Sequence, residues 1–200
     1  MLKTFLFLGI SGCGKGTQAA FAADYLKANS PEIPIRRLEM GGLFREVWGK
    51  EGNYSYERSK AIMEKGLLQP SFMQVMLWSG FFLNEMKGTE HLIIDGAPRR
   101  LLDAELMHGA FGYYKRENPV IFFIDIDRET AKKRIKARSV EQDRIEDSYE
   151  HLVDQRLQWF EEEARPALMY FRDREGYTFV RIDGNGTREE VWSQIKPYLI

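Results

Sequence analysis

Nine residues near the start of the chain, Gly9-Ile10-Ser11-Gly12-Cys13-Gly14-Lys15-Gly16-Thr17, carry the chemistry most directly readable from residue types and spacing. Four glycines leave no Cβ in the way, so backbone N–H groups in such a loop can converge on one anion. The apolar run Phe5–Leu8 precedes the loop and the helix-like Gln18-Ala19-Ala20-Phe21-Ala22-Ala23 follows it. The loop therefore opens onto a helix N-terminus, whose positive end favours phosphate. Lys15 adds a point charge for the outer phosphates. The spacing is that of a phosphate-binding loop with one departure: the Ser/Thr expected after the lysine is displaced by Gly16 and arrives as Thr17. A plain glycine turn is the alternative, but loop, strand and helix context agree on triphosphate binding. Gly12, Cys13, Gly14, Lys15, Gly16 and Thr17 are the candidate nucleotide contacts. Cys13 reads as a small residue tolerated in the loop, the other reading being a thiol acidified at a helix N-terminus.

A second constellation is Asp95-Gly96-Ala97-Pro98-Arg99-Arg100. Asp95 ends the apolar run His91–Ile94, where a carboxylate can hold the water shell of the magnesium ion that accompanies a nucleoside triphosphate; capping a turn is its other reading. Pro98 stiffens the turn and presents Arg99, whose planar fork suits phosphate oxygens. Further along, Arg134, Arg138, Arg144 and Arg156 lie on two helical segments joined by the polar stretch Ser139 to Asp143, interleaved with Glu141, Asp143, Glu146, Asp147 and Glu150. By themselves these read as a solvated face of ion pairs. A phosphoryl-transfer site changes the weighting, because that reaction needs charge neutralisation and in-line positioning far more than covalent help from side chains.

The elements that must position these groups follow from periodicity. Short apolar runs at Phe5–Leu8, His91–Ile94, Val120–Ile126 and Tyr177–Ile182, with a weaker fifth at Ile35–Leu38 after Pro31 and Pro34, alternate with long segments of helical period. That alternation predicts an α/β fold: a parallel five-stranded sheet flanked by helices, with ligands beyond the carboxyl ends of the strands. Asp125 and Asp127 read as loop acids. Two hundred residues at 44% apolar content suffice for one core, so residues 1–200 are read as a single domain. The net charge of −1, from 29 basic and 30 acidic residues, provides no global field for nucleic acid or an anionic membrane. The single cysteine cannot form an internal disulfide, which fits a reducing, cytoplasmic compartment. No apolar stretch approaches the roughly 18 residues that span a bilayer. The run Phe5–Ile10 ahead of Cys13 superficially matches a lipoprotein signal but is shorter than the roughly 7–15-residue apolar region such signals use.

These motifs together resemble the adenylate kinases and the related uridylate–cytidylate kinases, over essentially the whole chain. Gly9 to Thr17 is similar to the family's Gly-x-x-Gly-x-Gly-Lys-Gly-Thr loop, including the displaced threonine. Asp95-Gly96-Ala97-Pro98-Arg99 resembles Asp-Gly-Phe-Pro-Arg. Met40-Gly41-Gly42-Leu43-Phe44-Arg45 lies where the family has Thr-Gly-Asp-x-x-Arg, with Met40 for threonine and Gly42 for aspartate. Met63, Gly66, Leu68 and Pro70 fit the Met-x-x-Gly-x-Leu-Val-Pro-Asp stretch, with Gln69 and Ser71 departing from it. Arg144-Ile145-Glu146-Asp147 resembles the lid's Arg-x-Asp-Asp. Arg156 precedes Pro166 by ten positions as in the family, although Arg144 to Arg156 is one step longer than expected. Ile182-Asp183-Gly184-Asn185-Gly186 resembles the family's last strand and adenine-side loop.

The resemblance implies magnesium-dependent, reversible transfer of the ATP γ-phosphoryl group to AMP or another nucleoside monophosphate. It implies an acceptor-binding segment at 39–70, a short lid at 138–144 and a monomer. Lys15 and the loop amides would hold the donor phosphates, Arg138, Arg144 and Arg156 would neutralise the transferring group, and Arg134 would lie against the donor base. Arg45 and Arg99 would grip the acceptor phosphate, with Met40, Gly41, Met63, Leu68 and Gly96 lining its pocket and Asp95 ordering magnesium waters. Asp103 stands where adenylate kinases carry a glutamine, and an ionised carboxylate only accepts hydrogen bonds. It suits the two donors of guanine better than adenine, so weaker AMP discrimination is expected. A kinase of a different small acceptor and a non-catalytic nucleotide-binding regulator remain as rival readings.

Overall fold

The computed structural model describes residues 2–48, 52–141 and 149–199. Its strands are Thr4–Leu8 (β1), Ile35–Glu39 (β2), His91–Asp95 (β3), Val120–Asp125 (β4) and Thr178–Asp183 (β5). All pair in parallel, in the order β2-β3-β1-β4-β5. The α/β class and the five-stranded parallel sheet expected from the sequence are both present, with strand ends within about a residue or two of the apolar runs. The central β1 and β3 are buried along their whole length, as continuous apolar runs between two helical layers must be.

Helices are Lys15–Asn29 (α1), Met40–Trp48 (α2), Tyr54–Met63 (α3), Ser71–Glu85 (α4), Leu101–Tyr113 (α5), Arg128–Glu141 (α6), Glu150–Trp159 (α7), Arg165–Arg172 (α8) and Arg188–Ile195 (α9). A π-helical turn, Phe160–Ala164, joins α7 to α8. The chain leaves β1 toward one edge of the sheet and β3 toward the other. With right-handed crossovers, this sends α1 to one face and α4, α5 and α8 to the opposite one. Accordingly α1 packs on α9, and α5 packs on α8 and α4. The reversal beside β1 opens a crevice at the carboxyl ends of the strands.

Local chemistry explains several boundaries. Asn53 accepts from the Ser55 N–H at the start of α3, and Thr187 and Glu190 form a reciprocal capping box on α9. Asp127 accepts from the backbone and hydroxyl of Thr130 at 2.8 and 2.7 Å, and Asp125 accepts from Arg181, so these loop acids are structural. The polar stretch read as a connection from Ser139 is helical through Glu141. Its remainder, like Arg144 and the Ile145-Glu146-Asp147 that follows it, lies outside the described residues. The segment 39–70 contains α2 and α3, between the end of β2 and the start of α4.

Candidate active site

Beyond the carboxyl ends of β1 and β3 lies a cleft of about 780 Å³. The loop after β1 forms its floor. Gly14, at φ 90°, ends the loop in the left-handed conformation and hands the chain to α1, a bend a side chain would resist. The first amides of α1 thus face the cleft, and Lys15 folds back over them with its Nζ donating to the Ile10 carbonyl at 3.2 Å. Gly12, Cys13, Gly14, Lys15, Gly16 and Thr17 all line the cavity. Cys13 is itself buried.

The opposite wall comes from β3 and the turn after it. Asp95, Gly96, Pro98 and Arg99 line the cleft, and Arg99 Nε donates to the Gly96 carbonyl at 2.8 Å. Burial pushes the Asp95 carboxyl above its ordinary pKa, opposed by Lys15, Arg37 and Arg99; burial likewise lowers the Arg99 guanidinium. The fit to a hydrated magnesium ion is supported by Gly16, where an added Cβ would sit 3.1 Å from Asp95 Oδ2. Absence of a side chain keeps the carboxylate approachable. Magnesium that arrives with nucleotide phosphates needs only one or two protein carboxylates, and Asp95 with the Thr17 hydroxyl supplies that donor type.

Helices α6, α7 and α9 close the third side. Arg134, Arg138 and Arg156 line the cleft together with Trp159, Phe160 and Arg188. Arg134 spans the loop after β5, donating to the carbonyls of Gly184, Asn185 and Gly186 at 2.8, 3.2 and 2.9 Å. Its guanidinium therefore braces the loop that the resemblance assigns to the adenine side. Gln18 ties the same region to α1 by donating to the Arg188 carbonyl at 3.0 Å.

The sequence reading missed Arg37. On β2 it reaches into the cleft, donates to the Gly16 carbonyl at 3.1 Å and stands 3.6 Å from Asp95 Oδ2. Adjacent arginines on a strand must point to opposite faces, so the pair Arg36-Arg37 was the available signal. With Arg37 included, seven basic side chains among the described residues line the cleft against the carboxylates of Glu39 and Asp95. A chain of net charge −1 thus concentrates positive potential in one place.

The acceptor side differs in part from expectation. Gly41 lines the cleft, whereas Met40, Leu68 and Asp103 are buried and lie outside its wall. Met40 joins the hydrophobic core, its Cβ close to Gly96. Asp103 sits in the first turn of α5, where its carboxylate has no fully formed hydrogen bond. Burial raises its pKa, partly offset by the nearby backbone N–H of Arg99, by Arg100 and by the Ser71 hydroxyl. Arg45 belongs to α2 and Met63 ends α3; the orientation of their side chains is outside the described residues.

A phosphate loop at the first strand of a doubly wound parallel sheet, faced by a strand-terminal aspartate and by arginines from separate elements, defines a phosphotransferase of the P-loop kinase class. The adenylate kinase family model matches residues 7–176. An adenylate kinase of Thermus thermophilus is 30% identical over 98% of this chain and 97% of its own length. Adenylate kinases of Stenotrophomonas maltophilia and Prochlorococcus marinus are 29% and 28% identical over 95% and 92% of the chain, and over 95% and 93% of their own lengths. The chain belongs to the adenylate kinase family, and its activity is phosphoryl transfer to a nucleoside monophosphate.

Proposed function

We propose that the cleft transfers the γ-phosphoryl group of ATP to AMP, reversibly and with magnesium. The observation that carries this reading is the convergence of a phosphate loop with Arg37, Arg99, Arg134, Arg138 and Arg156 on one cavity. Mere nucleotide binding does not require that many cations. Lys15 and the loop amides hold the β- and γ-phosphates, leaving the γ-phosphorus exposed on its far side. Arg99, braced against the Gly96 carbonyl, holds the acceptor phosphate, with Arg45 from α2 as its second partner. Arg138 and Arg156 meet the charge that spreads over the transferring oxygens; Arg144 takes the same part from the lid. An acceptor phosphate oxygen attacks directly, so no protein nucleophile is needed. Asp95, through water, would hold magnesium together with the nucleotide phosphates, and the ion would supply charge neutralisation there.

Asp103 is buried behind the cleft wall, beside the Arg99 that lines it, and its chemistry bears on acceptor choice from that position. AMP is the acceptor, with weaker discrimination against other monophosphates than a glutamine-bearing relative shows. A reducing, cytoplasmic setting is supported by the single buried thiol. Among the described residues no helix is long and apolar enough to cross a membrane. The test is a coupled assay of ADP formation with AMP, GMP, CMP, UMP and dTMP. Turnover that is greatest with AMP is expected; turnover with none of them would overturn the reading. Arg99→Ala should raise the KM for AMP far more than that for ATP, and the reverse order would remove Arg99 from the acceptor side.

A further inference from the structure

The guanidinium of Arg37 lies in the cleft with most of its hydrogen-bonding capacity unused among the described residues. An arginine carries five N–H donors. Arg37, its side chain 31% exposed, makes one hydrogen bond among the described residues, from Nη2 to the Gly16 carbonyl at 3.1 Å. The same nitrogen stands back from two carboxylates, 3.6 Å from Asp95 Oδ2 and 3.9 Å from Glu39 Oε2, too far to bond either. Structural arginines of this chain close that distance. Arg128 and Arg181 sit 2.9 and 2.6 Å from their aspartates, and the buried Arg116 directs its donors at Glu90. Arg37 Nε is shielded without a partner. Its Nη1, also without one among the described residues, is open to the cleft that the residue lines.

The order of the strands says which phosphate meets that nitrogen. Along the sheet β2-β3-β1-β4-β5, the loop after β5, braced by Arg134, lies at the end that the resemblance assigns to the donor base. The phosphate loop follows β1 in the middle, and Arg99 follows β3. Arg37 is on β2, past Arg99 and away from the donor base. A cation is needed at that place. Glu39 and Asp95 are register partners on neighbouring strands, two carboxylates that repel an incoming phosphate dianion unless positive charge stands among them. Metal-bound water donates and so suits Asp95, whereas a guanidinium, which only donates, suits a phosphate oxygen. We propose that Arg37 is a further catalytic residue on the acceptor side: its Nη1 donates to a non-attacking oxygen of the acceptor phosphate and carries that dianion past Glu39 and Asp95 toward the γ-phosphate. The proposal rests on the reading of this cleft as the site of transfer to a monophosphate.

Steady-state kinetics of the full chain with each nucleoside monophosphate it accepts tests this. Arg37→Gln should raise the acceptor KM about tenfold to a hundredfold, the loss of one hydrogen bond from a charged donor. The factor should be the same whatever the base, because the contact is to phosphate. Turnover should fall about tenfold as well, while the KM for ATP and the magnesium requirement hardly move. Arg37→Lys keeps the charge without the planar fork and should recover part of the loss; should Arg37→Gln not fold, the lysine variant carries the same split between the two substrates. Calorimetry of AMP binding should show affinity falling in parallel with KM. A loss that falls on ATP or on magnesium assigns Arg37 to bracing Gly16 and Asp95 and overturns the proposal, as does an unchanged acceptor KM. Either result leaves AMP as acceptor where the wild type phosphorylates it; a wild type that prefers another monophosphate fails that reading alone, and Arg37 is then tested on the acceptor it uses.

Discussion

Glu90 and Asp95 flank and end the same strand, both nearly closed to solvent, at 1% and 8% exposure. Glu90, at the amino end of β3, accepts from the N–H groups of Lys87, Gly88 and Thr89 at 3.0–3.1 Å and pairs with the buried Arg116. Burial alone would raise its pKa, yet these donors hold it below the ordinary value. Asp95, at the carboxyl end, has cations around it but its pKa is raised, because burial outweighs Lys15 and Arg37. One carboxylate is satisfied by the fold itself. The other is left needing what a ligand brings. The amino edge of the sheet is thus built for stability and the carboxyl edge for binding.

The contrast can be broken at either end. Arg116→Ala leaves a buried carboxylate without its ion-pair partner and should cost about 3–5 kcal/mol in denaturant unfolding, with turnover of the folded fraction retained. A loss below about 1 kcal/mol would end the distinction between the two edges. At the other edge, Lys15→Ala should lower kcat/KM for both substrates at least about a hundredfold while the melting temperature hardly moves.

Asp95→Asn sharpens the comparison because its two effects have opposite signs. Activity should fall roughly tenfold or more. Stability at neutral pH should rise, since a raised folded pKa means the ionised group opposes folding above its unfolded pKa. That gain should disappear below about pH 4. Glu90→Gln must behave inversely. Its lowered folded pKa makes ionised Glu90 stabilising above its unfolded value, so the variant's deficit should be full at neutral pH and shrink as pH falls through the folded pKa. Parallel unfolding curves for the two variants across roughly pH 3–7 would contradict the assignment. The smallest effect is on specificity. Asp103→Gln should shift the kcat/KM ratio of AMP to GMP toward AMP by about tenfold, and an unchanged ratio would remove Asp103 from acceptor recognition.

How much of this was legible in the sequence depends on the range of the interactions. The strands showed because both faces of the sheet are covered, so Phe5–Leu8 and His91–Ile94 read as unbroken apolar runs. The phosphate loop showed because its function is packed into nine consecutive residues. Arg37 did not, since its role comes from lying across from Gly16 and Asp95, on two other elements. The Glu90–Arg116 pair spans 26 residues and two secondary-structure elements, β3 and α5. Neither residue has a local signature, and only the fold makes them partners. Asp103 was read through its position after Arg99; its burial depends on α4, which arrives from an earlier part of the chain.

Arg100 reaches in two directions at once. Its Nη1 donates to the Gln69 carbonyl at 2.6 Å and its Nε to Glu163 at 3.1 Å, while the Gln69 side chain donates to the Ser59 carbonyl in α3. Glu163 lies in the π turn of the continuous helical run that carries Arg156. One guanidinium therefore ties the segment between β2 and α4 to the helical run that carries Arg156. Neither segment can move far from the other without giving up one of the hydrogen bonds of this single side chain.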